Sequence, residues 1–274
     1  MIRKYKFAGS FYPSNKQELI TQVNNFIENA DVPNTVKSGI SYISPHAGYI
    51  YSGQTAGYTY KALLKNNIFK SIDTIILIGP NHTGNGSAIS VSLQDWETPL
   101  GILKNNIILS NHILRFLNAK EEEKGHEQEH SLEVQLPFLN KIAPIKKYCF
   151  IAMLDQSMNS SIKLSHAIIS ATAAADCNAI IIASSDFNHY ESSDIAHTKD
   201  SELISYLLKI DYINFNKSIF KLNDTICGFG PITTALLFAK NKGVEKAKLL
   251  NYSDSGHETK DFTNVVAYAS IVFG

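Results

Sequence analysis

The sequence predicts an α/β fold with a mostly parallel central sheet and helices on both of its faces. Short apolar runs rich in branched residues alternate along the chain with segments whose apolar residues recur at helical spacing. The clearest run, at 73–78, is continuously apolar after its first residues, as expected of a strand buried on both faces. Strands that alternate with helices indicate βαβ units and therefore parallel strand pairs.

The first half of the chain supplies two helices and two strands of this pattern. Ser14 is a plausible N-cap, and one helical face follows it, formed by Leu19, Ile20, Val23, Phe26 and Ile27. A strand is predicted at 39–44, where Pro45 ends it, and a helix at 54–65. The run at 73–78 ends at Gly79 and Pro80.

The second half continues the alternation to the end of the chain. Strands are predicted at 148–154, 179–184, 248–253 and 264–273, and helices at 160–175, 199–209 and 232–241. The acidic stretch at 121–129 is the most polar segment, but apolar helix and strand patterns resume directly after it. With no internal repeat and no low-complexity linker, residues 1–274 are predicted to form a single domain.

Composition argues against several classes of function. The 25 basic residues balance the 25 acidic ones, and only Arg3 and Arg115 are arginines, so no nucleic-acid partner is expected. No apolar run approaches the ~18–20 residues of a membrane span, and no membrane association is expected. Three widely spaced cysteines form no disulfide framework, and no signal peptide is visible. These features predict a cytoplasmic protein.

Three predicted strands are each followed by a turn that carries a histidine. His46 follows the strand at 39–44, His82 follows the strand at 73–78, and His189 follows the strand at 179–184. Ligands of open α/β sheets bind beyond the carboxyl ends of the strands. A single histidine in such a turn is most often an ordinary turn residue, but only nine histidines occur in the chain. Their convergence favours a metal or catalytic site.

Cys227 precedes the helix predicted at 232–241 and is followed by Gly228 and Gly230. A thiol near a helix N-terminus is expected to have a lowered pKa, which suits a metal ligand or a nucleophile. Cys149 and Cys177 lie in or beside apolar segments and are expected to be inert packing residues.

Two weaker patterns surround His130. His130 and Glu133 lie three residues apart, on one side of a helical turn, which is also the spacing of a capping arrangement. His126 and His130 have the spacing of a helical metal pair, but the surrounding sequence is more typical of a mobile loop.

Six linked motifs, in order along nearly the whole chain, resemble the Memo-like family, which includes the AmmeMemoRadiSam system protein B. They are Phe7-Ala-Gly-Ser-Phe-Tyr-Pro13, Ser44-Pro-His-Ala-Gly-Tyr49, Gly79-Pro-Asn-His82, Glu129-His-Ser-Leu-Glu133, Ser184-Ser-Asp-Phe-Asn-His189 and Cys227-Gly-Phe-Gly-Pro231. One small departure is Asn81, where the family often carries His or Ser.

The resemblance implies a fold similar to that of class III extradiol dioxygenases, with a metal site at the strand ends. It implies that His46, His82 and Cys227 bind the metal and that His189 is an acid/base residue with Asp186 beside it. It further implies that His130 and Glu133 line the pocket. A radical-SAM enzyme and an AMMECR1-like protein are the partners that the family name suggests.

A thiolate in place of the carboxylate of the related dioxygenases changes the chemistry expected of the metal. Soft sulfur favours copper(I), zinc or a more easily oxidised iron, so ordinary catechol cleavage is not the expected reaction. The leading hypothesis is an iron- or copper-dependent redox enzyme that acts on a small organic substrate. Asp186 would orient or tune His189, and Tyr49 and Tyr51 would contact a substrate ring.

Two alternatives come from other classes of function. In the first, the pocket of a non-catalytic protein captures a metal or another ligand. In the second, a thiol hydrolase uses Cys227 as the nucleophile and His189 as the base.

Overall fold

The computed structural model of the protein describes residues 1–36, 39–65 and 68–274. Within these residues, eleven strands belong to one hydrogen-bonded sheet. They are β1 (Ile2–Arg3), β2 (Ser41–Ser44), β3 (Thr74–Pro80), β4 (Ile89–Ser92), β5 (Asp95–Thr98), β6 (Gly101–Asn105), β7 (Lys147–Met153), β8 (Ala179–Ser184), β9 (His189–Glu191), β10 (Ala247–Asp254) and β11 (Val265–Phe273).

The strand order is β1-β5-β6-β7-β3-β8-β2-β11-β10, with β4 paired to β7 and β9 paired to β11. The five central strands from β6 to β2 run parallel to one another. Antiparallel pairs join β5 to β6 on one side and β2 to β11 and β11 to β10 on the other. The predicted mostly parallel sheet is therefore confirmed for its centre.

Ten α-helices accompany the sheet in the described part of the chain. They are α1 (Lys16–Asn29), α2 (Tyr49–Lys65), α3 (Ile107–Leu117), α4 (Lys124–Glu127), α5 (Leu136–Ile142), α6 (Met158–Ala174), α7 (Ser193–Leu208), α8 (Tyr212–Leu222), α9 (Phe229–Asn241) and α10 (Gly256–Thr259). None of the helices of these residues is both long and apolar enough to cross a bilayer.

Two hydrophobic clusters, one on each face of the sheet, hold the layers together. Ile76 and Ile78 of β3 belong to the cluster that includes apolar residues of α3, α6, α7, α8 and α9. Ile75 and Leu77 belong to the cluster that includes residues of α1, α2 and α5. Successive strand residues point to opposite faces, so helices cover both sides of β3, as the apolar run predicts.

Several helices begin earlier than predicted, and α7 begins at Ser193 instead of residue 199. Asn15, rather than Ser14, caps α1, because its Oδ1 accepts hydrogen bonds from the amides of Gln17 and Glu18. Helix α2 begins at Tyr49 instead of residue 54. Its early turns pack closely against α1, where a Cβ at Gly57 would lie 2.3 Å from the Phe26 carbonyl oxygen.

The segment from 89 to 117 holds β4, β5, β6 and α3, none of which is predicted from the sequence. These strands contain only four or five residues each, and two of them show mixed burial. Such short strands give little periodic signal. Helix α8 also lies outside the predicted elements.

Candidate metal centre

His46, His82 and Cys227 converge at one edge of the sheet. His46 lies two residues after the end of β2, His82 two residues after β3, and Cys227 two residues before α9. One ring nitrogen of each histidine and the Cys227 Sγ all lie within 4.8 Å of one another. The Sγ is 3.3 Å from His46 Nε2, and the centroids of the two imidazole rings are 5.3 Å apart. The three side chains form one potential ligand set, hereafter the donor cluster.

The hydrogen bonds behind His46 determine which ring nitrogen is free. His46 Nδ1 lies 2.9 Å from Ser184 Oγ, which also accepts a hydrogen bond from Gln135 Nε2. The Ser184 hydroxyl itself donates to the carbonyl oxygen of Ser131, at 2.7 Å. Because that hydroxyl has a single proton, His46 must donate from Nδ1, and its Nε2 lone pair faces the thiol.

A buried carboxylate fixes His82 in the same way. Glu129 Oε1 lies 3.0 Å from His82 Nδ1 and accepts a further bond from the Ser131 amide. Burial opposes ionisation of Glu129, but the hydrogen bond from His82 and the charge of that ring lower the pKa of Glu129 to about 2. The carboxylate therefore accepts from Nδ1 and leaves Nε2 of His82 free, the arrangement that commonly supports a histidine ligand. Glu129 begins the motif Glu129-His-Ser-Leu-Glu133, but the sequence gives no sign that it supports His82.

Cys227 does not have the lowered pKa that its place before a helix predicts. Removal from water, followed by the nearby charge of Asp186, raises the pKa of the thiol well above its usual value. The amide of Asp186 donates to Sγ at 3.3 Å, but this bond does not offset the desolvation. A cation within the donor cluster would reverse this preference, because it stabilises the thiolate directly.

A cavity of about 360 Å³ adjoins the donor cluster. Its wall includes Phe11, Tyr51, His130, Asp186, His189 and Tyr190. Four of the predicted site residues, Tyr51, His130, Asp186 and His189, therefore face one space. Its volume is within the range of small-molecule pockets, about 300–1,000 Å³.

His130 lies in this wall against the donor cluster. Its ring stacks on His82, with centroids 4.8 Å apart and planes 20° from parallel, and lies 4.6 Å from the Phe11 ring. Burial lowers the pKa of His130 to about 4. His126, in contrast, is fully buried beside Trp96, with Nε2 bonded to the Ser90 carbonyl. The two histidines thus form no metal pair, and His126 lies in α4 rather than in an irregular loop.

Glu133 and Tyr49, which are predicted to lie in a substrate pocket, are not among the residues that line this cavity. Glu133 is fully buried, forms an ion pair with Arg3 at 2.6 Å and accepts a hydrogen bond from the Tyr12 hydroxyl. Further bonds from the amides of residues 6 and 7 make Glu133 the anchor of the N-terminal segment. Tyr49 is buried in the core, and its hydroxyl donates to the Val134 carbonyl.

No hydrogen bond joins the Asp186 carboxyl to His189 among the described residues, and a tuning effect of Asp186 on His189 stays a prediction. Asp186 Oδ1 accepts hydrogen bonds from the backbone amides of His46 and Ala47, at 2.7 and 3.3 Å. The carboxyl therefore fixes the turn that carries His46, and burial raises its pKa to about 7.

His189 is held by a different contact, since its amide donates to Thr225 Oγ1 at 2.7 Å. Burial lowers the pKa of its ring. The Cys227 sulfur contacts His46 Nε2 at 3.3 Å, and no hydrogen bond joins it to the His189 ring among the residues that the structure describes.

Comparison with known proteins gives consistent results. A family model described as Memo-like protein matches residues 3–272. A MEMO1 family protein of Methanosarcina acetivorans is 36% identical over 272 residues, covering 99% of this chain and 98% of its own. MEMO1 family proteins of Nitrosopumilus maritimus and Thermoplasma volcanium are 38% and 39% identical over 280 and 277 residues. They cover 100% and 99% of this chain, and 100% and 98% of their own.

Among solved structures, the chain is similar to the uncharacterized protein JW3007 from Escherichia coli K12. The TM-score is 0.51 at 10% sequence identity, covering 86% of this chain and 100% of that chain. At this identity the similarity concerns the fold alone.

Proposed function

The chain belongs to the Memo-like family, and on this basis we propose that it binds a transition-metal ion through His46, His82 and Cys227. One observation carries the proposal: both histidines use Nδ1 for hydrogen bonds to the protein, so their Nε2 lone pairs are free beside the thiol. Two imidazoles and a thiolate suit iron or copper, with zinc as the third candidate.

We further propose that the site is that of a redox enzyme for a small organic substrate. Bound iron or copper would supply the one-electron chemistry that the side chains themselves lack. The cavity offers room for a small molecule, and its wall includes His130, whose ring packs on the donor His82. His189, kept neutral by burial, is placed in its wall to accept a proton from the substrate, and the His130 ring covers His82.

A non-catalytic metal- or ligand-binding protein is the second candidate. It is favoured by the sulfur ligand, because a thiolate beside activated oxygen is readily oxidised. A cytoplasmic location remains a proposal that rests on composition and cysteine usage. A radical-SAM partner and an AMMECR1-like partner remain proposals that rest on the family resemblance.

Elemental analysis of untagged protein purified without oxygen tests metal binding. We expect close to one iron or copper per chain in the wild type and almost none in His82→Ala. His166→Ala, which changes an exposed histidine of α6, is the matched control and should keep the metal. Equal metal content in both variants would refute the ligand assignment.

Oxygen consumption with a panel of small phenols and amines then separates the two candidates. Turnover that is lost in His189→Ala while the metal content is retained supports the enzyme. Metal binding without turnover of any substrate supports the binding protein.

A further inference from the structure

A buried polar network lies behind the segment 186–190, outside the donor cluster and the cavity wall. Its centre is Asp200 of α7, which is fully buried. Asp200 Oδ2 accepts hydrogen bonds from the Tyr252 hydroxyl at 2.7 Å and from the backbone amide of Asn188 at 3.4 Å. Two other buried oxygens of the network, Asp200 Oδ1 and Asn188 Oδ1, have no hydrogen-bond partner among the residues that the structure describes.

The side-chain amide of Asn188 can adopt only one orientation. Its Nδ2 donates to Glu191 Oε2 at 2.8 Å and to Asp224 Oδ2 at 3.2 Å. The flipped amide would direct its oxygen at two carboxylates. Asn188 Oδ1 therefore remains an acceptor, and a buried acceptor without a donor is costly.

The charges around Asp200 also disfavour its ionised form. Glu191 and Asp224 face the same asparagine, and Asp254 lies close enough to act on Tyr252. Lys199 is paired with Glu191 at 2.8 Å, while Tyr252 offers a neutral hydroxyl. An ionised Asp200 would place a fully buried negative charge next to these carboxylates.

We propose that Asp200 is a neutral carboxylic acid in the folded protein and that its Oδ1 hydroxyl donates to Asn188 Oδ1. A single proton then gives both unpartnered oxygens a hydrogen bond. The hydrogen bond from the backbone amide of Asn188 to Asp200 Oδ2 already places the Asp200 carboxyl group beside Asn188. Burial, followed by the charge of Asp224, raises the pKa of Asp200 well above its ordinary value, in the direction that the proposal requires.

The proton on Asp200 would position two segments that form the candidate site. Asn188 lies between the cavity residues Asp186 and His189, and its side chain also binds Asp224, three residues before Cys227. The contact of the His189 amide with Thr225 joins the same two segments. Asp200 is thus a positioning residue, and this inference holds whether or not the site is catalytic.

Infrared difference spectroscopy at mildly alkaline pH tests the proposal directly. Under that condition the Asp186 carboxyl, with a pKa of about 7, is mostly ionised. We expect the carbonyl stretch of a protonated carboxylic acid in the wild type, its loss in Asp200→Asn and its retention in Asp261→Asn, which changes an exposed carboxylate. Absence of the band from the wild type, or its persistence in Asp200→Asn, would overturn the proposal.

A conservative rescue separates positioning from simple loss of structure. In Asp200→Asn the new amide can donate to Asn188 Oδ1 and still accept from Tyr252, so metal affinity and thermal midpoint should stay near wild type. Asp200→Leu removes both bonds, and we expect about tenfold weaker metal binding. Equal losses in both variants would contradict the bridging proton. If the wild type binds no metal, the infrared result still decides the inference.

Discussion

The thiols of this protein occupy two contrasting regions of the sheet. Cys149 and Cys177 have hydroxyl neighbours, with Ser110 Oγ 3.3 Å from one sulfur and Thr74 Oγ1 3.4 Å from the other. Cys227 also has a hydroxyl neighbour, Ser185 Oγ at 3.9 Å, but an imidazole nitrogen lies closer, at 3.3 Å. Burial raises the pKa of all three thiols, to about 12 for Cys149. The direction of the pKa shift therefore does not distinguish the candidate metal ligand from the packing residues, whereas the convergence of nitrogen and sulfur lone pairs does.

Replacing one thiol from each region should give the largest difference in metal affinity. We expect Cys227→Ser to lower metal affinity by more than about 100-fold, beyond the effect usual for residues that only support a ligand. Cys177→Ser, at a partly exposed thiol outside the donor cluster, should leave the affinity unchanged. Competition titration against a chelator of known affinity measures both. A similar loss of metal affinity in both variants would mean that Cys227 differs in no way from the packing thiols as a metal ligand.

The pH dependence of metal binding should follow from the proton that Cys227 holds. Its raised pKa means that a metal must displace this proton, and a further proton leaves any His82 that is charged, because Glu129 raises the pKa of that ring despite its burial. Affinity should rise with pH by about tenfold per unit for each proton released. Titrations at several pH values measure the slope, which should become shallower in Cys227→Ser. A pH-independent affinity would mean that the thiol is not a ligand.

A substitution of Glu129 should weaken metal binding at the donor cluster while all three thiols stay unchanged. Glu129→Gln keeps an oxygen near His82 Nδ1 but removes the charge, and we expect about tenfold weaker metal binding. Glu127→Gln, two residues earlier and exposed, is the matched control and should have no effect. The chelator titration applies here as well, and unchanged affinity in Glu129→Gln would show that the carboxylate only stabilises the fold.

The smallest effect should come from the packing thiol. Cys149→Ser replaces a buried sulfur of β7 with a smaller and more polar hydroxyl, which Ser110 Oγ contacts on one side only. We expect a loss of about 1–2 kcal/mol in the free energy of unfolding with metal affinity unchanged. Urea unfolding monitored by circular dichroism measures this loss. Weaker metal binding in Cys149→Ser would mean that the two regions are coupled.

The sequence predicts the parts of the site that depend on strand order. It does not predict which residues line the cavity where this depends on the direction of a side chain. His46 and His82 follow apolar runs, and parallel strands bring their carboxyl ends to one edge of the sheet, so their proximity is predictable. Tyr49 and Tyr51 are equivalent in the sequence, but they lie about 200° apart around α2, so one enters the core and the other the cavity wall.

Glu133 shows a second limit of sequence-based prediction. Its partners lie in the segment that includes Arg3 and Tyr12, more than a hundred residues away, and no local spacing indicates them. Glu129 is overlooked for a related reason, because its function depends on the direction of its carboxyl group toward His82.

The anchoring of the N-terminal segment by Glu133 has a consequence for biosynthesis. Arg3 and Tyr12 leave the ribosome before the carboxylate that binds them, which lies 130 and 121 residues further along the chain. Phe11, in the same segment, supplies part of the cavity wall. During translation the Phe11 ring lacks its contact with His130 until the segment around residue 130 has been made. Closure of the cavity is therefore a late event in the folding of the nascent chain.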